Sequence, residues 1–290
     1  MSLTPEQLAL RRTGVTATDI SAICGLSPFK TPLMVWCDKV GEPYEKPDSE
    51  PMYWGRALED DVLARYLENH PDIGMGPVGT VQRTGTRWLC TPDAIAYGEN
   101  DGPPNKTHGV EAKTAFSYEQ VKRWGTEGDQ IPEEYIIQCQ WSMMVCDLPR
   151  WDVAALLATY HGAEYREFTL EAAPDVQKAL VAKAEEFWAY VVKKKKPPAV
   201  GLAPELAALK HVYTDVTSDM RLAMAGDEDL ASDYREAEQD KKDAEQRLTL
   251  AKIALVERIG DAEGIEDGAG KWKVTHKKGK RGRTFRATFK

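Results

Sequence analysis

No run of about 18 consecutive apolar residues occurs in the 290-residue chain, so a membrane-spanning helix is excluded. The opening stretch MSLTPEQLALRRTG lacks the apolar centre of a secretion signal, and the expectation is a cytoplasmic protein. Cysteines are few, at positions Cys24, Cys37, Cys90, Cys139 and Cys146. No two form a CxxC pair, and their odd number does not suit a disulfide framework. Zinc and iron–sulfur chemistry are disfavoured by the same spacing, and the five read as small buried hydrophobes. Internal repeats are absent too. The last absence is local: residues 271–290, KWKVTHKKGKRGRTFRATFK, hold no acid and nine Lys or Arg. Net charge is −8, so the other 270 residues carry 29 bases against 46 acids, a balance of −17. A uniformly basic protein is therefore excluded. A basic tail on an acidic body suggests one local polyanion contact, and the acidic body fits a site that gathers carboxylates for metal ions.

What remains reads as a globular α/β chain. Apolar residues make up 42%, and eight Trp with eleven Tyr can fill a core. Helices are expected at 5–12, through Ile20–Leu26 with Thr16, Thr18 and Asp19 as candidate caps, and near LMVWCDKVG, where Gly41 is a C-cap. A Pro- and charge-rich loop, EPYEKPDSEP, precedes the helix YWGRALEDDVLARYLENH. There Trp54, Leu58, Val62 and Tyr66 form an apolar stripe, Glu59 lies beside it, and Asp60 and Asp61 face solvent. Strands are expected across GTVQRTGTRWLC, DAIAY and GVEAKTA, with the exposed loop GENDGPPNKTH between the last two. A helix follows at PEEYIIQCQWSMMVC, then strands RWDVAALLATY and AEYREFTL, then a helix ending before Pro197-Pro198. That Pro-Pro marks the expected boundary between a domain of residues 1–198 and an extension of residues 199–290. The extension reads as a heptad helix at about 228–259, with a seam running from Leu230 to Leu255, and a basic β-hairpin at 271–290.

Three acids and a lysine stand out. Glu59 is on an inward-leaning helix position, Asp93 follows the Thr91-Pro92 break, and Glu111 and Lys113 share one face of a strand. If the two strands pair antiparallel, Asp93 at the start of one meets Glu111 and Lys113 on the next. Carboxylates converging on one point repel unless a divalent cation neutralises them, and hard oxygen donors select magnesium or manganese. Taken singly, each feature has a plainer reading. Glu111 and Lys113 make a surface ion pair, Glu59 an exposed acid, and Asp93 a turn residue. Their order and spacing together are more informative.

The series RRTGVTATDI, WGRALEDD, CTPDAI, VEAKTA and PEEYIIQCQWSMMV resembles the YqaJ-type viral recombinase nucleases, relatives of phage lambda exonuclease in the PD-(D/E)xK superfamily. The likeness spans residues 11 to 196. It implies a restriction-endonuclease-like core, a mixed sheet flanked by helices. It also implies a metal site of Asp93, Glu111, the Ala112 carbonyl and Glu59, two Mg²⁺ ions (or Mn²⁺), and Lys113 to hold or deprotonate a water. Gln138 would position Lys113, with Tyr135 and Gln140 in support. Arg11 and Thr18 match the family's grip on a DNA 5′-phosphate, with Arg12 a one-residue alternative to Arg11. Many members have Gly-Gly-Ser-Asp where this chain has Thr16-Ala17-Thr18-Asp19, and threonine keeps the hydroxyl.

By this resemblance the chain is expected to be a phage-encoded enzyme that degrades linear duplex DNA from the 5′ end. It would leave 3′ overhangs for a strand-annealing recombinase and would assemble as a homo-oligomer, a trimer in the lambda enzyme. The alternatives are a repair or restriction endonuclease of the same superfamily and a non-catalytic DNA-binding protein that uses the basic hairpin.

Overall fold

Threonine side chains open the first three helices, as seen in a computed structural model that describes residues 4–42, 48–98, 106–125, 130–160, 162–213, 220, 223–279 and 282–289. In α1 (Pro5–Arg12), Thr4 and Gln7 form a capping box. In α2 (Ala17–Ile23), Thr16 and Asp19 do the same. Thr16 is thus the cap among the three candidates, and the helix starts three residues before the expected Ile20. Thr31 caps α3 (Pro32–Val40), which ends at Gly41 with φ of 90°, a left-handed conformation that glycine adopts without Cβ strain. Residues 43–47 of the Pro-rich loop lie outside the described residues. α4 (Glu50–Asn69) follows. Its inward stripe is shorter than the sequence suggests. Val62, Leu63 and Tyr66 are buried, but Trp54 is 48% exposed and donates its indole N–H to Glu50.

Four strands come next, β1 (Ile73–Gly76), β2 (Val81–Gln82), β3 (Leu89–Cys90) and β4 (Ala94–Gly98). Then follow β5 (Lys106–Ala115), the short α5 (Tyr118–Val121), α6 (Glu133–Cys146), β6 (Arg150–Thr159), β7 (Gly162–Glu171), α7 (Pro174–Val192) and α8 (Ala203–Val212). Residues 99–105 of the expected β4–β5 loop lie outside the described residues. The main sheet has the order β1-β4-β5-β6-β7. The β5–β6 pair is parallel and every other pair antiparallel, so β5 lies at the centre of a mixed sheet. Edge strand β1 escapes a sequence reading because its residues, IGMG, have poor strand propensity. Its glycines are needed by the packing. A Cβ at Gly74 would come within 2.8 Å of the Tyr97 ring, and one at Gly76 within 2.5 Å of the Tyr97 hydroxyl.

The sheet is covered on both faces. On one face α4 places Val62, Leu63 and Tyr66 over Ala94, Ala96, Val110 and Ala154. On the other, α6 places Cys139 and Met143 over Val153, Ala155 and Leu157. The opposite side of α6, with Trp141 and Val145, packs into a second cluster with α2, α3 and α7. This double burial explains why α6 carries apolar side chains on two sides instead of in one stripe. The same cluster takes in Ala208 of α8, which is fully buried.

Behind β6 lies a buried polar network. Tyr66 donates to Asp152 at 2.6 Å and meets His108 Nε2 at 2.9 Å, and Thr169 donates to Asp152 at 2.9 Å. Burial opposes the Asp152 charge, but hydrogen bonds from Arg150 and Tyr66 outweigh it and hold the carboxyl below its usual range. The network pins α4 to β5, β6 and β7 two turns beyond Glu59. The five cysteines are free thiols, with Cys90 and Cys146 sulfurs 3.4 Å apart.

The chain divides into two compact units, Met1–Val216 and Thr217–Lys290. The second contains α9 (Asp227–Ile259) and the strands β8 (Gly264–Glu266), β9 (Trp272–Gly279) and β10 (Gly282–Phe289). These form an antiparallel sheet of order β10-β9-β8, so the expected hairpin gains a third strand. Ile259 and Val274 are its buried side chains among the described residues, whereas Leu230, Tyr234 and Leu248 of the heptad seam are exposed. Residues 280–281 of the hairpin turn and Lys290 lie outside the described residues.

Gly109 offers a test of the core. It lies opposite Trp151, which is fully buried, and a Cβ there would come within 2.3 Å of the indole ring. Gly109→Ala is expected to lower unfolding free energy by about 1–3 kcal/mol, the usual cost of overpacking. Urea unfolding measures it, and a loss below about 0.5 kcal/mol would contradict this packing.

Candidate active site

The register of β4 against β5 assembles the site. Ala94 lies opposite Val110, so Asp93, one residue before β4, reaches past the strand start toward residues 111–113. Its Oδ2 accepts a hydrogen bond from the Ala112 amide at 2.9 Å. Glu111 and Lys113 point to the α6 side of the sheet, as the alternation of β5 requires. Lys113 Nζ donates to Glu111 Oε1, and Gln138 Nε2 of α6 donates to the same oxygen. Gln138 therefore holds Glu111, not Lys113 as the sequence reading expected. The reason is geometric: the amide lies under the carboxylate, which attracts both donors at one oxygen. Lys113 Nζ also sits 5.1 Å from the centroid of the Tyr135 ring.

Glu59 approaches from α4, across the hollow. Two adjoining hollows of about 510 and 280 Å³ share Thr18, Glu59, Asp93, Lys113 and Gln138 in their walls. The electrostatics are strained. Burial, then the Glu111 charge, push the Asp93 carboxyl up to about 8, against the pull of Lys113 and the Ala112 amide, and Glu59 adds to the rise. Burial works against the Lys113 charge as well, but the Glu111 and Asp93 carboxylates overcome it and hold its pKa well above the usual lysine value. Lys113 is thus a hydrogen-bond donor in this arrangement. Among the described residues no group of three or more His, Cys, Asp or Glu is gathered closely enough to hold a metal ion by side chains alone.

The first-motif residues line the smaller hollow. Arg11 donates to Thr91 Oγ1 at 2.9 Å and to Thr18 Oγ1 at 3.0 Å. Arg12 is turned away to Asp38 at 3.2 Å, so of the two arginines Arg11 faces the hollow. A buried ion cluster aims it. Asp19, 2% exposed, takes Lys30 and Lys39 at 2.7 Å each, and Lys39 also donates to the Arg11 carbonyl at 2.7 Å. Burial opposes the Asp19 charge, yet the two lysines hold its carboxyl far below the usual range. Gln140 lies elsewhere. It donates to the Glu171 carbonyl and accepts from the Ala173 amide, fastening the β7–α7 turn. The Gln-x-Gln spacing puts its two glutamines on different sides of α6, and only Gln138 reaches the hollow.

Sequence reasoning missed two residues here. Thr91 joins Arg11 and is itself bonded to Thr80 at 2.9 Å, and Lys30 lines the larger hollow. Thr91 stands next to Asp93 in the quoted Thr-Pro-Asp, so its place beside the acid was a usable clue. Lys30 had none.

The architecture is that of the alkaline exonucleases. An alkaline exonuclease from Laribacter hongkongensis, LHK-Exo, superposes with a TM-score of 0.52 at 17% identity, covering 66% of this chain and 94% of that one. Its complex with dAMP gives the same score at 16% identity, covering 73% and 98%. Residues 6–149 match the family model of the YqaJ-like viral recombinase domain. YqaJ of Bacillus subtilis strain 168 is 30% identical over 223 residues, 74% of this chain and 65% of that protein. Protein R354 of Acanthamoeba polyphaga mimivirus is 26% identical over 151 residues, 51% of this chain and 27% of that protein. The chain thus spans less than two thirds of either curated relative.

The Asp19 cluster predicts a pH dependence. A carboxyl whose folded-state pKa is depressed contributes stability above its unfolded value near 3.8 and loses it as pH falls toward the folded value. Asp19→Asn is expected to cost about 3 kcal/mol at neutral pH, because it takes the charge partner from Lys30 and leaves buried Lys39 with Asp38 alone, at 3.3 Å. The penalty should shrink as pH drops below about 4. Urea midpoints against pH measure this, and a penalty independent of pH would contradict it.

Proposed function

We propose that the chain is a metal-dependent DNA exonuclease acting on linear duplex DNA from the 5′ end and leaving 3′ single-stranded overhangs. One observation carries the reading: Asp93, Glu111 and Lys113 meet where β4 starts against β5, in a hollow that Glu59 overlooks and Arg11 borders. The dAMP complex of LHK-Exo supports it, since a deoxynucleoside monophosphate is what exonuclease action on DNA releases.

The donor set fits a hard divalent cation, Mg²⁺ with Mn²⁺ as substitute, two per site. Asp93 and Glu111 are two carboxylates in one hollow with a single ammonium between them, and the Ala112 carbonyl and Glu59 complete the set. Mg²⁺ keeps several waters and takes only one or two carboxylates directly, so it does not require a three-carboxylate cage. When bound, such ions lower the pKa of a water and stabilise the departing oxygen.

The protein's own groups do the rest. Gln138 and the Ala112 amide fix the orientations of Glu111 and Asp93. The Lys113 ammonium donates to an oxygen of the attacking water or of the phosphate. Arg11, aimed by Thr18 and Thr91, presents a fixed guanidinium fork to a terminal 5′-phosphate, which sets the end as the point of attack. The water oxygen bonds to phosphorus, the P–O3′ bond breaks, and a proton passes to the leaving 3′ oxygen.

Duplexes labelled separately at each end, with and without a 5′-phosphate, test this. Wild-type protein with Mg²⁺ is expected to release 5′-terminal nucleotides, faster with the phosphate, and to leave closed circles intact. Nicked circles would replace this reading with an endonuclease. Asp93→Asn and Lys113→Gln should each slow cleavage by at least about 10²-fold while retaining DNA binding. Unchanged cleavage in either would overturn the site. Arg11→Ala should lose the preference for a 5′-phosphate, and a preserved preference would remove that role.

A further inference from the structure

The second unit carries a charged surface that the nuclease site does not use. Strand alternation and register divide its sheet into two faces. Val274, Trp272 and Phe285 share one face with Ile265 of β8. The other face presents Lys273, Thr275 and Lys277 from β9, and Thr284, Arg286 and Thr288 from β10. All are exposed except half-buried Thr275. Arg286 stands opposite Thr275, midway between the two lysines, so the three cations form a triangle with hydroxyls between them. From Gly268 to the chain end there is no acid. The acids nearby belong to β8 and the turn before it: Glu266 meets Lys273 at 2.6 Å and Glu263 meets Lys277 at 3.1 Å. Both pairs are more than half exposed, and such pairs are weak and exchange readily for phosphate. Arg286 has no partner among the described residues. The other described arginine of this sheet has a structural task. Arg283 donates to the carbonyls of Gly260, Ala262 and His276, capping the end of α9 and bracing the sheet.

We infer that this polar face of β9 and β10 is a second DNA site, one that grips the duplex phosphate backbone without reading sequence. Its chemistry supplies what a backbone requires, ammonium and guanidinium groups with hydroxyl donors. It lacks what single strands need. No aromatic side chain lies on that face among the described residues, so bases have no platform for stacking. The choice of DNA among polyanions rests on the nuclease reading, and the site would keep duplex attached while the nuclease centre works at the end.

The experiment uses the full chain with Lys273→Gln, Lys277→Gln and Arg286→Gln combined. Duplex binding is measured in EDTA over a range of KCl, and cleavage of a saturating short 5′-phosphorylated duplex is measured with Mg²⁺. The slope of log affinity against log salt is expected to flatten by about 2.7, at about 0.9 per phosphate neutralised. Lys278→Gln, on the opposite face, should leave the slope as it is. An unchanged slope in the triple variant, or an equal fall from Lys278→Gln for each charge removed, would overturn the inference. So would wild-type binding to phosphatidylserine vesicles accompanied by no slope change on DNA. Failure of the nuclease reading has a different signature: wild-type protein would not cleave, whatever the salt slope.

Discussion

The pairing of β4 with β5 in one register is the constraint on which the rest depends. Side chains on a strand alternate, so a slip of one residue would send Glu111 and Lys113 to the α4 face and leave Val110 and Ala112 against α6. The observed register, with Ala94 opposite Val110, does two things together. It buries Val110, Ala94 and Ala96 beneath α4, and it sets Asp93 against the Ala112 amide. Gly109 protects the same register from the other side, since no larger residue fits against the Trp151 ring. Core packing and site geometry are thus one arrangement.

The site concentrates negative charge in a partly dry hollow, whereas three buried acids elsewhere have cationic partners. Asp19 has two lysines, Asp152 has Arg150 and Tyr66, and Glu134 has Arg123. Asp93 has a backbone amide and a share of one lysine, and its carboxyl alone among these acids is pushed strongly upward. A carboxyl pushed upward by burial and a neighbouring charge, in a hollow open to ligand, marks a functional-site candidate. The structural acids stabilise α1, α2 and β6, and those elements carry Arg11 and Thr18 and brace the strand beside Glu111.

Much of this was legible in the sequence for physical reasons that can be named. Glu111 and Lys113 share a face because strands alternate, and the short DAIAY and GVEAKTA segments pair antiparallel because a single loop joins them. α6 was visible from its length and its proline start. What stayed hidden depended on three-dimensional packing. Trp54 fits the helical stripe but is half exposed, its indole bonded to Glu50 one turn back on the same helix. β1 is written in glycines whose purpose is the Tyr97 ring. Gln138 was matched to the site, but its true partner, Glu111, follows from where α6 crosses β5. Gln140 shares its motif and serves a turn instead. β8 is three residues long and shows no pattern of its own.

The most direct test of the central claim is a crystal of the protein grown with Mn²⁺ and measured at the manganese absorption edge. The account predicts an anomalous peak within coordination distance, about 2.1 Å, of carboxylate oxygens of both Asp93 and Glu111, absent from crystals of Asp93→Asn. Manganese bound only elsewhere, or a peak that persists undiminished in the variant, would contradict it.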